Sequence, residues 1–164
     1  MNRLRKMLGR TDSPYVVSFR RLLDAQSKPV VAQWCIDYAR NQILPIYKKA
    51  YPQDDRGDAA LNAATLWLVG EVKLPVVRKQ ILNAHTAARE AAQDPAAAAA
   101  MRAVAQSASV VHVVSHALGI VHYGCCALVY DRLGLTESDE VYEDAAAREC
   151  AKMEDSFRKF IATK

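Results

Sequence analysis

All four histidines of this 164-residue chain, His85, His112, His116 and His122, fall between Asn83 and Tyr123. The same stretch is rich in alanine. It reads N-A-H-T-A-A-R-E-A-A, then A-A-A-A-M-R-A-V-A-Q, then V-H-V-V-S-H-A-L-G-I-V-H-Y. Imidazole and guanidinium groups on helices of alanine and valine are costly to bury without partners. They are either hydrogen-bonded inside a packed bundle or present to meet another molecule. Arg102, Ala105, Ser109, His112, His116, Gly119 and Tyr123 follow one another at spacings of three and four, which puts them on one stripe of a continuous helix. Upstream, Arg78, Leu82, His85, Arg89 and Ala92 share a second stripe, while His122 lies off the His112–His116 line.

Three chemistries fit such a seam. His112-x-x-x-His116 has the spacing at which two imidazoles on a helix grip one metal ion. It lacks the glutamate of H-E-x-x-H, because Val113 and Val114 intervene, and a third ligand such as His85, Asp37 or Asp55 has to come from elsewhere. The second is an interior network in which His, Arg and Asp satisfy one another between helices, the usual fate of buried polar groups. The third is a recognition surface or pocket. The last two can coexist. No tightly held metal and no cofactor are expected.

Enzymatic signatures are missing. The chain has no G-x-S-x-G, no phosphate-cradling glycine loop and no G-x-G-x-x-G. Cys35, Cys125, Cys126 and Cys150 form no C-x-x-C or zinc-ribbon spacing. Cys125 and Cys126 are adjacent on a helix, so they point about 100° apart. Free buried thiols in a reducing cytoplasm are the expectation.

The elements that must hold the seam are helices, because no stretch alternates apolar and polar residues over strand length. Pro14–Ala25 opens with proline in its first turn and carries Val16, Phe19, Leu22 and Leu23 on one face. Ser27 and Pro29 start a second helix through Trp34, Tyr38 and Ile43, which Pro45 should kink or end. The loop Y-P-Q-D-D-R-G (Tyr51–Gly57) leads to a third helix at about Asp58–Val69, and a fourth runs from about Pro75 to Gln93. Asp94-Pro95 is a strong helix start. Helical character then runs to Leu133, 39 residues and roughly 60 Å, too long for a domain of this size. A bend or break is therefore expected near Gln106–Ser109. Thr136–Asp139 resembles a capping box and opens the last helix. The result is an all-α, single-domain bundle of about six helices with a long, bent, alanine-rich region over residues 14–164. Residues 1–13 form a basic, flexible tail.

Composition bounds the partners. Hydrophobic residues make up 51% and charged residues 24% of the chain, as in soluble globular proteins. No apolar run reaches the roughly 18 residues of a membrane span. Met1–Arg10 lacks the apolar region of a secretory signal. The net charge of +4 is accounted for by Arg3, Arg5, Lys6 and Arg10, so the excess sits on the tail and not on a folded face. Nucleic-acid binding is not expected.

The order of several short motifs carries a family resemblance. W-x-x-D-x-A-R (Trp34–Arg40) is followed by L-P-x-Y (Leu44–Tyr47), P-x-D-D-R (Pro52–Arg56) and W-L-V-G-E (Trp67–Glu71). A-H-T-A-A-R-E-A (Ala84–Ala91) and A-x-x-V-H-V-V-S-H-A-L-G-I-V-H-Y (Ala108–Tyr123) complete the set. The chain resembles the bacterial Imm-5-like immunity proteins over about Val30–Tyr130. It departs from them at Gly57, where proline is usual, at Lys48, where an acid is usual, and at Gln106, near the place of a further histidine. The resemblance implies a cytoplasmic binding protein, with no catalytic turnover, that neutralises a co-produced toxin. Neither nucleic acid nor membrane is expected as a partner, and a homodimer is left open. The residues expected to line one polar site are Trp34, Asp37, Asp55, Arg56, His85, Arg89, Arg102, His112, His116 and Tyr123. A metal-dependent bundle hydrolase using His85, His112 and His116, or a small-molecule-binding bundle, are the alternatives.

Overall fold

Alanine decides which helix lies at the centre. In the computed structural model, which describes residues 3–164, Pro95–Ser109 (α6) has buried residues all round its circumference, including Ala97–Ala100, Met101 and Ala103–Ala105. Asp94 caps it by accepting a hydrogen bond from the Ala97 amide at 3.0 Å, and Pro95 fixes its first turn. A helix apolar on every side has to be enclosed, and short Ala side chains let its neighbours approach closely. Pro14–Asp24 (α1), Lys28–Tyr38 (α2), Leu44–Ala50 (α3), Arg56–Leu68 (α4) and Leu74–Glu90 (α5) precede it. Ala117–Gly119 (α7), Cys125–Leu133 (α8) and Asp139–Ala162 (α9) follow. Among the elements packed on α6 are α2, α3, α4, α5 and α8. The fold is all-helical, with no strand among the described residues.

Two junctions are π-helical. Ala39–Ile43 joins α2 to α3, and Ile120–Gly124 joins α7 to α8. The proline at position 45 thus neither ends the helix nor stands in an unmodified ladder. The wider turn just before it lets the chain continue without the amide that proline lacks. Read as rods, the described residues form seven helical segments where about six were expected. The extra one arises because the long alanine-rich region breaks completely at Val110–Val113. Ser107 and Ser109 each bond back to the carbonyl four residues earlier, at 2.8 and 2.7 Å, which bends helices. Four of the next five residues, Val110, Val111, Val113 and Val114, are β-branched and helix-poor. The last helix is capped at Ser138, which accepts from the Val141 amide, and so starts later than a cap at Thr136 would place it.

α1, α2 and α9 meet in an aromatic cluster. Phe19 stands edge-on to Trp34 with centroids 5.6 Å apart, Phe157 lies 5.2 Å from Trp34, and the indole N–H donates to Ser156 Oγ at 3.1 Å. The basic N-terminal segment is no solvated tail over its described part. Leu8 is 1% exposed. Its amide donates to the His122 carbonyl at 3.2 Å, its carbonyl meets His122 Nδ1 at 3.1 Å, and Tyr130 donates to the Arg5 carbonyl at 2.8 Å. An apolar Leu8 supplies burial that a string of Arg and Lys could not. Residues 1 and 2 lie outside the described residues.

Candidate functional site: a cationic cleft on the central helix

Beyond its first turn, α6 has only two residues that are not fully buried, Arg102 and Gln106. They are one turn apart and so point the same way. Opposite them, the α5 stripe presents His85, Ala88 and Arg89, and Tyr123 closes the space from the π-turn. Together these six residues line a cavity of about 190 Å³. His116 joins through Gln106, whose Oε1 lies 2.8 Å from His116 Nδ1. A carbonyl oxygen only accepts, so the imidazole donates through Nδ1.

Close helix approach makes this arrangement. A Cβ on Gly119 would stand 2.5 Å from both Cβ and Cγ of Gln106. Gly119 has an ordinary helical φ of −62°, so alanine would gain about 1 kcal/mol in helix propensity. The clash with a Cβ that cannot rotate away outweighs this. Gly119→Ala is expected to cost about 1–3 kcal/mol net, read by denaturant unfolding, and to break the Gln106–His116 contact, read by the histidine ring resonances.

The cleft is positive and uncompensated. No acid lines it, and among the described residues no carboxylate lies within ion-pair distance of Arg78, Arg89 or Arg102. Arg89 donates to Thr86 Oγ1 at 2.9 Å and to no other group among the described residues. Burial holds the His85 pKa below its ordinary 6.5, and Arg89, His116 and Arg102 push it in the same direction. Burial also lowers His116, with His112 adding to the effect. Both imidazoles are therefore neutral at neutral pH. A histidine whose pKa is lower folded than unfolded takes up its proton more readily in the unfolded chain. Its contribution to stability is complete above the unfolded value of about 6.5 and is lost as pH falls toward the folded value. Thermal denaturation should show stability decreasing below about pH 6.5, with a shallower decrease in His85→Gln.

The rest of the expected site lies elsewhere. His112 is exposed, in the break and not on a helix, with the Arg78 guanidinium 3.4 Å from its Nε2. The stripe linking it to His116 needed an unbroken helix. Without one the i,i+4 pair is lost, and among the described residues no three His, Cys, Asp or Glu side chains stand close enough to hold a metal ion. The set His85, His112 and His116 does not assemble. Trp34, 2% exposed, belongs to the aromatic core. Asp37 accepts from Gln33 Nε2 at 2.9 Å. Asp55 is exposed, and its neighbour Asp54 makes the contacts. Asp54 accepts from Tyr47 at 2.6 Å and from Arg56 at 2.7 Å, and Arg56 also reaches Glu90 at 2.6 Å. The Arg56 guanidinium holds the Asp54 carboxyl well below the usual carboxylate range. This network ties α3, α4 and α5 together and does not line the cleft. Of the ten expected residues, the cavity gathers His85, Arg89, Arg102 and Tyr123, with His116 at its edge. Gln106 was missed as a site residue, although its place one turn after Arg102 was a readable signal.

The four cysteines are free and buried. Burial pushes the Cys126 and Cys150 thiols up to about 12, far from the thiolate that nucleophilic chemistry needs.

A family model described as Imm-5 like putative immunity protein matches residues 21–156. The chain belongs to this family. The matched span runs from α1 into α9 and contains every residue of the cleft. No curated protein and no solved structure matches the chain. In this Imm-5-like protein the A-H-T-A-A-R-E-A motif supplies His85, Ala88 and Arg89 to the cavity, and the V-H-V-V-S-H motif supplies His116 at its edge. Among the described residues, no helix is long and apolar enough to cross a membrane.

Proposed function

We propose that this protein binds and neutralises a co-produced toxin in the cytoplasm, by association and without turnover of a substrate. The observation that carries the reading, beside the family itself, is the uncompensated face of α5. Arg78, Leu82, His85 and Arg89 share one stripe, Leu82 is 66% exposed, and the arginines have no acidic partner among the described residues. An exposed apolar side chain flanked by unpaired guanidinium groups fits a partner with an acidic, partly apolar surface. Charge of one sign speeds encounter with such a partner, and arginine is favoured among the residues that dominate binding energy.

Neutralisation requires the complex to outcompete the toxin's own target. Nanomolar affinity corresponds to about −12 kcal/mol, which a few anchors on this face can supply. The test is co-expression with the products of adjacent genes. A neighbour that is toxic alone, harmless with this protein and co-purified with it supports the proposal. If no neighbour is toxic, or the protein turns over a substrate, the proposal fails.

A further inference from the structure

We infer that the cavity between α5, α6 and Tyr123 is a binding site for an oxyanion, a carboxylate or phosphate group. The inference deepens the reading above, and rests on it for the partner that would carry the anion.

Of the six lining residues all but Ala88 carry a side-chain donor, and two of them, Arg89 and Arg102, are guanidinium cations. Gln106 uses its oxygen on His116, and its amide nitrogen has no protein partner among the described residues. Arg102 is half-buried with neither a hydrogen-bond acceptor nor a carboxylate beside it among the described residues. Both guanidinium groups still reach water, so each is free to turn its N–H donors toward an anion seated between them. Guanidinium pairs oxyanions through two parallel N–H bonds, with carboxylate and phosphate as its best geometric matches.

Size narrows the class further. A volume of about 190 Å³ is below the roughly 300–1,000 Å³ of drug-sized ligand pockets. It admits a free phosphate, or the end of an Asp or Glu side chain or phosphorylated group presented by a larger molecule. The arginine-lined groove at the N-terminal segment is a poorer candidate, because Arg5 there is already paired with Glu143.

The test titrates the intact protein, without any toxin, with inorganic phosphate and separately with glutarate. Calorimetry measures binding, and ring resonances of His85 and Tyr123 report its place. Saturable millimolar binding that shifts both rings is expected. Arg102→Gln should weaken it about 10–100-fold, the factor for one hydrogen bond to a charged group. Arg89→Gln, an exposed change that leaves the core untouched, should weaken it in the same sense, and Arg20→Gln on α1 should leave it unchanged. Tighter phosphate binding points to a phosphorylated ligand, and tighter glutarate binding to a partner's acidic side chain. Both outcomes support the site. No saturable binding of either anion, or equal weakening by all three substitutions, overturns it. Anion binding in a protein that protects against no neighbouring toxin would sink the proposed function and leave this site standing. Protection without anion binding would do the reverse.

Discussion

Trp34→Ala is expected to destabilise the bundle by about 3–5 kcal/mol, the range for truncating a large buried aromatic. The indole touches Phe19, Tyr38 and Phe157, and its N–H holds Ser156. Removing it opens the junction of α1, α2 and α9 and leaves the Ser156 hydroxyl without its partner. For a chain of this length each kcal/mol is worth roughly 2–4 °C, so the Tm should fall by roughly 6–20 °C. Trp34→Phe keeps most of the ring packing and loses chiefly the hydrogen bond, a loss of about 1 kcal/mol. Trp34→Phe should therefore protect as well as the parent does against the toxin partner proposed above. A protective defect in a folded Trp34→Phe protein would return the residue to the binding surface.

Reversing charge in the cleft should have the opposite signature. Arg89→Glu combined with Arg102→Glu is expected to weaken binding of the proposed toxin partner by about 2–5 kcal/mol, roughly 30-fold to more than 1,000-fold. The fold should survive, because among the described residues neither arginine has a carboxylate partner to lose and new acids would sit beside His85. Surface plasmon resonance at two salt concentrations separates the causes. The parent's association rate should fall as salt screens the cationic face, and that of the double variant should not. If the variant binds the toxin as tightly as the parent does, the cleft is not the contact.

Much of the fold was legible because helix formation is local. Repeats of three and four residues, the Asp94-Pro95 start and the prolines at positions 14, 29 and 75 mark where helices begin. That the alanine-rich stretch must break was legible, since a rod of roughly 60 Å cannot fit such a domain, but the break falls at Val110–Val113, just beyond the Gln106–Ser109 expected. The π-turns were not, because they answer packing and the missing Pro45 amide together. Within one unbroken helix the site was legible too, since 3.6-residue geometry holds Arg78, Leu82, His85 and Arg89 in line, and Arg102 with Gln106. Across a break it was not. Val110–Val113 leave helix geometry, so His112 and His116 no longer stand one turn apart on one helix, and no periodicity reports that.

The sequence by itself determined an all-helical chain, an alanine-rich helical region and the membership of an immunity family, because propensity, patterning and motif order lie within short segments. Only the tertiary structure decided which polar residues meet. Trp34 could be core or anchor, and Arg56 could pair with Asp54 or face the cleft. Leu8 could dock or trail in solvent. Each choice depends on which helices become neighbours. That is set by the cooperative burial of small and aromatic side chains contributed from distant parts of the chain, such as Gly119 against Gln106 and Phe157 against Trp34.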